Sequence, residues 1–153
     1  MVRMSDLSES VQTALLNVEC PEFKSKAWVS GPPLSKRRVA IVSSAGLLCR
    51  GDRPFPFGAM EYRVIPGDTT ASDLLMSHVS SNFDRTGYQQ DLNVIFPIDR
   101  LAELEIDGVI GSVADFHYSF MGATRPNLLE PKARELAGLL KEDQVNAVLL
   151  VPV

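Results

Sequence analysis

Apolar runs along the chain alternate with amphipathic segments, a pattern typical of proteins in which strands and helices follow one another. Residues 39–42 form a continuous apolar run, and residues 145–153 are almost wholly apolar. Continuous runs of this kind are typical of strands that are covered on both faces. We therefore predict strands at both positions, shorter strands at 61–65 and 94–96, and a strand or bent segment over 109–120.

Helical signals mark four segments between these strands. Capping residues or prolines precede them, and apolar residues recur every three or four positions. The predicted helices span 5–18, begin after Thr69 or Thr70, run from Pro97 to Gly108, and begin at Pro131. The first of them is amphipathic and is expected to act as a lid or a dimer arm. The proline- and glycine-containing segments 20–38 and 51–59 are predicted to be connections.

This alternation predicts an α/β fold with a largely parallel open sheet and flanking helices, a three-layer arrangement of the Rossmann or flavodoxin type. Residues 1–36 would form an N-terminal helix and linker, and residues 37–153 the α/β domain, with its final strand at the C-terminus. So apolar a final strand should be covered on both faces, yet no crossover helix follows it in this sequence. Either a covering segment is missing, or other helices cover the strand.

Composition narrows the function classes. The chain has 153 residues, a formal net charge of −4 and 45% hydrophobic residues, which predicts one folded domain that binds neither nucleic acid nor an anionic membrane surface. Its apolar runs are shorter than the roughly 20 residues of a membrane-spanning helix. Polar residues occupy the first positions, so no secretory signal is recognisable. We therefore expect a cytoplasmic protein.

Polar residues at predicted strand ends are the candidates for chemistry. Ser43 and Ser44 directly follow the 39–42 strand, where α/β proteins bind ligands, although small residues also suit a tight turn. The polar stretch 78–93 and the pair at 117–118 add further groups, which could equally cap turns or be half-buried structure. The candidate substrate-binding residues are Ser43, Ser44, His78, Asp84, Asp91, Asn93 and His117.

Cysteine and histidine spacing gives no metal site, because the two histidines and the two cysteines are far apart in the sequence. Cys20 and Cys49 are most simply read as small buried hydrophobes. If Cys49 faced solvent beside Arg50 and Arg53, the pKa of its thiol would be lowered, whereas burial would raise it. The sequence leaves both directions open.

Four stretches carry a resemblance to a known family. They are RVIPGDT at residues 63–69, FDRTGYQQDLNVIFPIDRLAEL at 83–104, GVIGSVADFHYSFMG at 108–122, and VNAVLLVPV at 145–153. Together they resemble the glycine/sarcosine/betaine/D-proline reductase family, specifically its selenoprotein B subunits and their D-proline-reductase-like relatives. The resemblance covers residues 37 to 153 in order and adds little for the first 36 residues.

The resemblance implies a substrate-handling subunit of an enzyme that reductively cleaves the C–N bond of an amino acid or its N-methylated derivative, with a dithiol as the electron donor. It also implies that the reactive selenocysteine, or cysteine, stands immediately after Val153, that an in-frame opal codon encodes it, and that this chain contains no catalytic residue and is inactive alone. The 37–153 region would then be the N-terminal part of a longer family domain. Partner subunits, one of which can carry a pyruvoyl group, would complete the enzyme.

A second class of function stays open beside this one. The chain would also fit a non-catalytic α/β subunit that binds a small amino-acid-like ligand or assembles with a partner protein, including a second copy of itself. The nucleotide sequence beyond codon 153 would distinguish the two classes: an opal codon followed by coding sequence is expected for the reductase, and a genuine stop codon for the binding subunit.

Overall fold

The structure, a computed structural model, describes residues 3–19, 22, 28–80, 83 and 85–153. Within these residues the chain forms four α-helices and seven strands. The helices are α1 (Glu9–Leu16), α2 (Thr86–Gln90), α3 (Ile98–Ile106) and α4 (Pro126–Glu142). The strands are β1 (Arg38–Ser43), β2 (Leu47–Cys49), β3 (Tyr62–Pro66), β4 (Leu74–Met76), β5 (Ser112–Val113), β6 (Phe116–Phe120) and β7 (Ala147–Val151).

The main sheet is built around β1. On one side β1 pairs with β7, and on the other side it pairs first with β5 and then with β6, all in parallel. β3 extends the sheet by pairing antiparallel to β6, while β2 and β4 form a separate antiparallel pair. The predicted α/β class is confirmed, but the sheet is mixed and lacks the largely parallel Rossmann-like or flavodoxin-like layout.

The antiparallel pairing of β2 with β4 has a local cause. A parallel neighbour needs a long crossover, usually a helix, whereas strands joined by loops and turns tend to return antiparallel. The chain between β2 and β4 contains the proline-rich loop 51–59 and short turns but no α-helix. β2, β3 and β4 therefore lack the crossover helices that a parallel arrangement requires.

Side chains on the two faces of β1 belong to different apolar clusters. Val39 and Ile41 pack in a cluster with Leu101 of α3, and Val42 packs in another with Leu136 of α4. Because alternate strand residues point to opposite faces, α3 and α4 cover opposite faces of the sheet. The burial of residues 39–41 confirms the predicted strand and explains its continuous apolar run.

The final strand is present as predicted but lies at an edge. Within the described residues β7 pairs only with β1, and Val148, Leu149 and Leu150 remain 41%, 38% and 70% exposed. The apolar residues of α4 pack on Tyr118 and Phe120 of β6 rather than on this strand. The expected cover on both faces of the strand is therefore not found.

Two predicted elements are replaced by short 3-10 turns. After Thr70 the predicted helix is a single turn, Ala71–Asp73, in which the Asp73 carboxylate accepts hydrogen bonds from the backbone N–H and the hydroxyl of Thr70. Leu74 and Leu75 then pair with β2 in a strand. The predicted strand at 94–96 is also wrong: a turn, Leu92–Val94, leads into buried Ile95 and Phe96.

The helix boundaries differ in detail from the predicted ones. α1 is shorter than predicted, begins after Ser8 rather than Ser5, and buries none of its residues. α3 begins and ends as predicted, at Pro97 and before Gly108, whose φ is +69°. α4 begins at Pro126, so Pro131 lies inside the helix rather than at its start. None of the helices in the described residues is long and apolar enough to cross a membrane.

An ionic network ties the amino-terminal end of the sheet together. The Arg38 guanidinium donates to the Asp143 carboxylate and to the Val113 carbonyl at 2.7 Å, and it pairs with Asp115 at 2.9 Å. The other Asp143 oxygen accepts the N–H groups of Asp115 and Phe116 at 2.9 and 3.2 Å. Partial burial opposes ionisation of Asp143, but the hydrogen bonds from Arg38 and the backbone hold its pKa below the ordinary value.

Candidate functional site

The carboxyl ends of β1, β6 and β7 meet at Ser44. The Ser44 N–H donates to the Val151 carbonyl at 3.1 Å, and the Ser44 carbonyl accepts the Gly122 N–H at 2.9 Å. The Ser44 hydroxyl accepts the Val153 N–H at 2.8 Å. All three chain segments are therefore fixed to one residue, which stands directly after the central strand. In open α/β sheets, the carboxyl edge of the parallel strands is where ligands bind.

Close backbone contact shapes this edge. A Cβ on Gly122 would lie 2.6 Å from the Ser44 carbonyl oxygen, so only glycine allows the two segments to approach. Gly46 has a φ of +66°, donates to the Phe120 carbonyl, and accepts the Ser77 N–H at 2.9 Å. These bonds bring the loop after β4 against the end of β1.

His78 lies in that loop, next to Gly46. It is 8% exposed, its Nδ1 accepts the Ser80 N–H at 3.2 Å, and its ring lies 5.0 Å from that of Phe83. Burial lowers the pKa of His78, and the positive charge of Arg85, which donates to the His78 carbonyl, lowers it further. The imidazole is therefore neutral near pH 7, and its buried Nε2 has no partner among the described residues.

Two fully buried hydroxyls lie beneath the edge and bind backbone groups. Ser43 donates to the Ile95 carbonyl at 2.9 Å and accepts the Ala45 N–H at 3.2 Å. Ser119 accepts the Leu47 N–H at 2.9 Å. These serines hold neighbouring segments in place, and neither is accessible to a ligand in this conformation.

His117 fills a break in the sheet. β5 contacts β1 at Arg38 and Val39, β6 contacts it from Val42 onward, and between them the Ile41 N–H donates to His117 Nδ1 at 3.0 Å. Burial lowers the pKa of His117 to about 4, so the ring is neutral at pH 7. Because Nδ1 accepts a hydrogen bond, the proton is on the buried Nε2, which has no partner among the described residues.

The other predicted residues lie away from Ser44. Asp91 accepts hydrogen bonds from the N–H and the Nδ2 of Asn93, both at 2.9 Å, and Asn93 also bonds to Asp99 in the first turn of α3. These bonds lower the pKa of Asp91. The contacts are those of a turn and helix cap, the alternative that the sequence left open. Asp84 lies outside the described residues.

The structure therefore brings Ser43, Ser44 and His78 to one edge, with His117 in the sheet below. Ser44 and His78 supply a hydroxyl and a neutral imidazole, which form hydrogen bonds rather than act as nucleophiles at neutral pH. Sequence reasoning missed Ser119 and Gly122. The alternation in residues 116–120 was the available signal, because His117 and Ser119 share one face of the strand while Tyr118 and Phe120 share the other.

Cys49 is the free thiol in the described part of the chain. Partial burial raises its pKa, and the nearby Asp52 carboxylate raises it further. The possibility of a lowered pKa beside Arg50 and Arg53 is therefore overturned; the Arg50 guanidinium instead bonds to the Ser72 carbonyl. Cys20 lies outside the described residues, and within them no group of three His, Cys, Asp or Glu side chains is placed to hold a metal ion.

Comparison with known proteins supports the family resemblance. A family model described as glycine/sarcosine/betaine reductase selenoprotein B matches residues 23–153. The D-proline reductase subunit gamma of Acetoanaerobium sticklandii is 36% identical over 120 residues, an alignment that covers 76% of this chain and 49% of that protein.

Two further relatives are complex components. The glycine reductase complex component B subunit gamma of Symbiobacterium thermophilum is 34% identical, and the sarcosine reductase complex component B subunit beta of Peptoclostridium acidaminophilum is 31% identical, each over 124 residues. Each alignment covers 76% of this chain and 28% of the relative. The chain thus spans half or less of the length of these curated relatives. No solved structure gives a significant match to it.

Proposed function

Because the chain belongs to the glycine/sarcosine/betaine reductase selenoprotein B family, we propose that it is the substrate-handling part of a reductase that cleaves the C–N bond of glycine, sarcosine, betaine or a D-proline-like substrate. The relatives carry the names of D-proline, glycine and sarcosine reductase subunits, which supports this range of small amino-acid substrates. Electrons would come from a dithiol donor.

The proposal rests on one observation: the carboxyl ends of β1, β6 and β7 meet at Ser44. Three strand ends are held together through its N–H, its carbonyl and its hydroxyl, so this edge is rigid at the place where α/β proteins bind ligands. Beneath this edge, Ser43 and Ser119 form hydrogen bonds with neighbouring backbone segments, and neutral His78 lies beside it. In this proposal Ser44 and His78 orient the substrate, and the binding role of Asp84 stays a prediction.

The reactive group would be a selenocysteine or cysteine that follows Val153. Val153 is bonded to Ser44 at 2.8 Å, and consecutive Cα atoms are about 3.8 Å apart, so such a group would begin at the same edge. A selenolate or thiolate supplies the nucleophile for reductive cleavage when it is present. The residues of this chain bind and orient the substrate, and a pyruvoyl group, where one is used, would belong to a partner subunit.

The partners in this proposal are the other subunits of the reductase. Two of the relatives are named as components of complexes, and all three are named as subunits. A family member of this kind handles substrate within an assembly, so the isolated 153-residue chain is expected to give no turnover with dithiothreitol and any of the four substrates. The cytoplasm, with its reducing thiols, is the proposed location.

Gene deletion in the source organism tests the proposal. We expect extracts of the deletion strain to lose dithiol-dependent reduction of at least one of glycine, sarcosine, betaine and D-proline. The wild-type gene should restore it, whereas Ser44→Trp, which obstructs the edge, should not. Ser8→Trp, at an exposed position before α1, is the matched control and should restore it fully. Wild-type rates for all four substrates in the deletion strain would contradict the proposal.

The second candidate function is a non-catalytic binding or assembly subunit. The exposed apolar edge of β7 favours it, because such an edge is a template for pairing with another chain. The same deletion strain separates the candidates, provided that circular dichroism shows Ser44→Trp to be folded, since an assembly role predicts that a folded variant restores reduction as well as the wild type does.

A further inference from the structure

A cavity of about 350 Å³ lies between the end of α1 and the start of α4. Among the described residues it is lined by Ala14, Asn17, Val18, Glu19 and Arg125. The first four belong to the last turn of α1 and the residues that follow it, and Arg125 directly precedes α4. Each of the two helix ends therefore supplies one wall of the cavity.

Two opposite charges line this cavity without forming an ion pair. Within the described part of the chain, no ion pair or side-chain hydrogen bond joins Arg125 or Glu19 to any other residue. Both residues are exposed. Their charges are therefore available to a ligand that lies in the space between them.

The helix ends give the two walls the same polarity. The last carbonyl groups of an α-helix carry partial negative charge, and its first N–H groups carry partial positive charge. α1 ends on the wall that contains Glu19, and α4 begins on the wall that contains Arg125. One wall therefore favours a cationic group, and the other favours an anionic group.

We propose that this cavity binds a small zwitterion of the α-amino acid class. The ligand carboxylate would accept hydrogen bonds from the Arg125 guanidinium, and the ligand ammonium group would donate to the Glu19 carboxylate. The Asn17 amide can bond to either group, while Ala14 and Val18 offer apolar contact to a short side chain. A simple anion or cation would meet only one favourable charge, whereas a zwitterion meets both.

This site is distinct from the Ser44 edge and does not rest on the reductase function, since a chain without reductase activity could hold the same ligand. Arg125 is three residues after Gly122, so the Cα atoms of the two residues are at most about 11 Å apart. The family model matches from residue 23 onward, so the wall that α1 supplies lies outside the family match. The site would hold an amino acid close to the Ser44 edge.

NMR titration of the ¹⁵N-labelled 153-residue chain with glycine tests the site. We expect the amide signals of Asn17, Val18 and Arg125 to shift together, with a dissociation constant in the millimolar range, because two charge-assisted contacts form at an exposed cavity. Acetate and methylammonium each carry one of the two charges. They should bind about tenfold or more weakly than glycine, because each retains only one of the contacts.

Two variants that each remove one charge test the two ends of the ligand separately. Arg125→Gln should weaken the binding of both glycine and acetate, whereas Glu19→Gln should weaken glycine binding about tenfold or more and leave acetate binding unchanged. Arg134→Gln and Glu9→Gln are the matched controls, because they remove the same charges from other exposed positions of α4 and α1. Neither control should change glycine binding.

Four outcomes would overturn the proposal. The first three are glycine that shifts none of the lining residues, acetate that binds as tightly as glycine, and an equal loss of glycine binding in Arg134→Gln and Arg125→Gln. The fourth is a set of shifts confined to Ser44 and Val153, which would assign the ligand to the Ser44 edge and support the reductase function. The deletion test of that function does not depend on this cavity, so the two proposals fail separately.

Discussion

The Ile41 N–H donates a 3.0 Å hydrogen bond to Nδ1 of His117, so an imidazole takes the place of a backbone carbonyl in the centre of the sheet. The bond is needed because β5 ends before β6 begins, and Ile41 lies opposite the gap. A histidine that the sequence offered as a substrate-binding candidate therefore accepts a structural hydrogen bond. Its role leads to two predictions.

His117→Leu should leave the Ile41 N–H buried without an acceptor. We expect the free energy of unfolding to fall by about 1–3 kcal/mol, the cost of an unsatisfied buried donor. Amide exchange measured by NMR should show faster exchange at Ile41. Ser119→Ala is the matched control, because it should accelerate exchange at Leu47 instead. An unchanged Ile41 amide in His117→Leu would refute the structural role of this hydrogen bond.

Stability should also depend on pH through His117. Its folded pKa of about 4 lies below the ordinary value of 6.5, so the unfolded chain binds the proton more tightly. The contribution of His117 is complete above pH 6.5 and is lost as the pH drops toward 4, by about 3 kcal/mol, and the lowered pKa of His78 adds to the loss below pH 6.5. The depressed pKa of Asp143 acts at lower pH. When urea unfolding is measured at a series of pH values, the free energy of unfolding should fall less steeply with decreasing pH for His117→Leu than for the wild type. An equal pH dependence in the two proteins would contradict the assignment.

Asp143→Ala should be costly because this carboxylate binds Arg38 and the N–H groups of Asp115 and Phe116. We expect a loss of about 2–3 kcal/mol in the free energy of unfolding. Glu130→Ala is the control: its exposed i,i+4 pair with Arg134 should contribute only about 0.3–0.5 kcal/mol. If urea unfolding gave similar losses in the free energy of unfolding for the two variants, the network around Asp143 would not stabilise the fold as proposed.

Gly122→Ala should displace the Ser44 segment, because the new Cβ would lie 2.6 Å from the Ser44 carbonyl oxygen. We expect a lower melting temperature and large chemical-shift changes at Ser44 and Val153. Gly138→Ala, inside α4 with nothing within 4 Å of the new Cβ, should instead stabilise the chain by about 0.5–1 kcal/mol. If Gly122→Ala left the melting temperature unchanged, the close approach of Gly122 to Ser44 would be contradicted.

Much of the main sheet was predictable because its strands have strong local signals. Residues 39–41 are buried, and the final strand has a continuous apolar pattern. The segment after Thr70 was misread because a capping residue followed by two leucines also fits a one-turn cap that leads into a strand. Only the pairing of Leu74 and Leu75 with β2, a non-local contact, distinguishes the two.

The site was predictable in part for a similar reason. Ser44 was found because it directly follows the central strand, but Gly122 depends on an approach between distant segments that the sequence does not encode locally. The mixed direction of the strands was not predicted. Alternation of strands with helices indicates the α/β class, but it does not show which strands are connected without a crossover helix and therefore run antiparallel. The family resemblance was specific where several motifs occurred in order, and the family match confirms it.

The position of β1 at the centre of the sheet has a consequence for synthesis. Its sheet neighbours β5, β6 and β7 all come later in the chain, and the bond between Arg38 and Asn146 joins residues 108 positions apart. β1 therefore leaves the ribosome long before its partners exist, and it must remain unpaired at least until β5, which begins at Ser112, has been translated. We expect slow folding dominated by non-local contacts, with chaperones shielding this strand in the meantime.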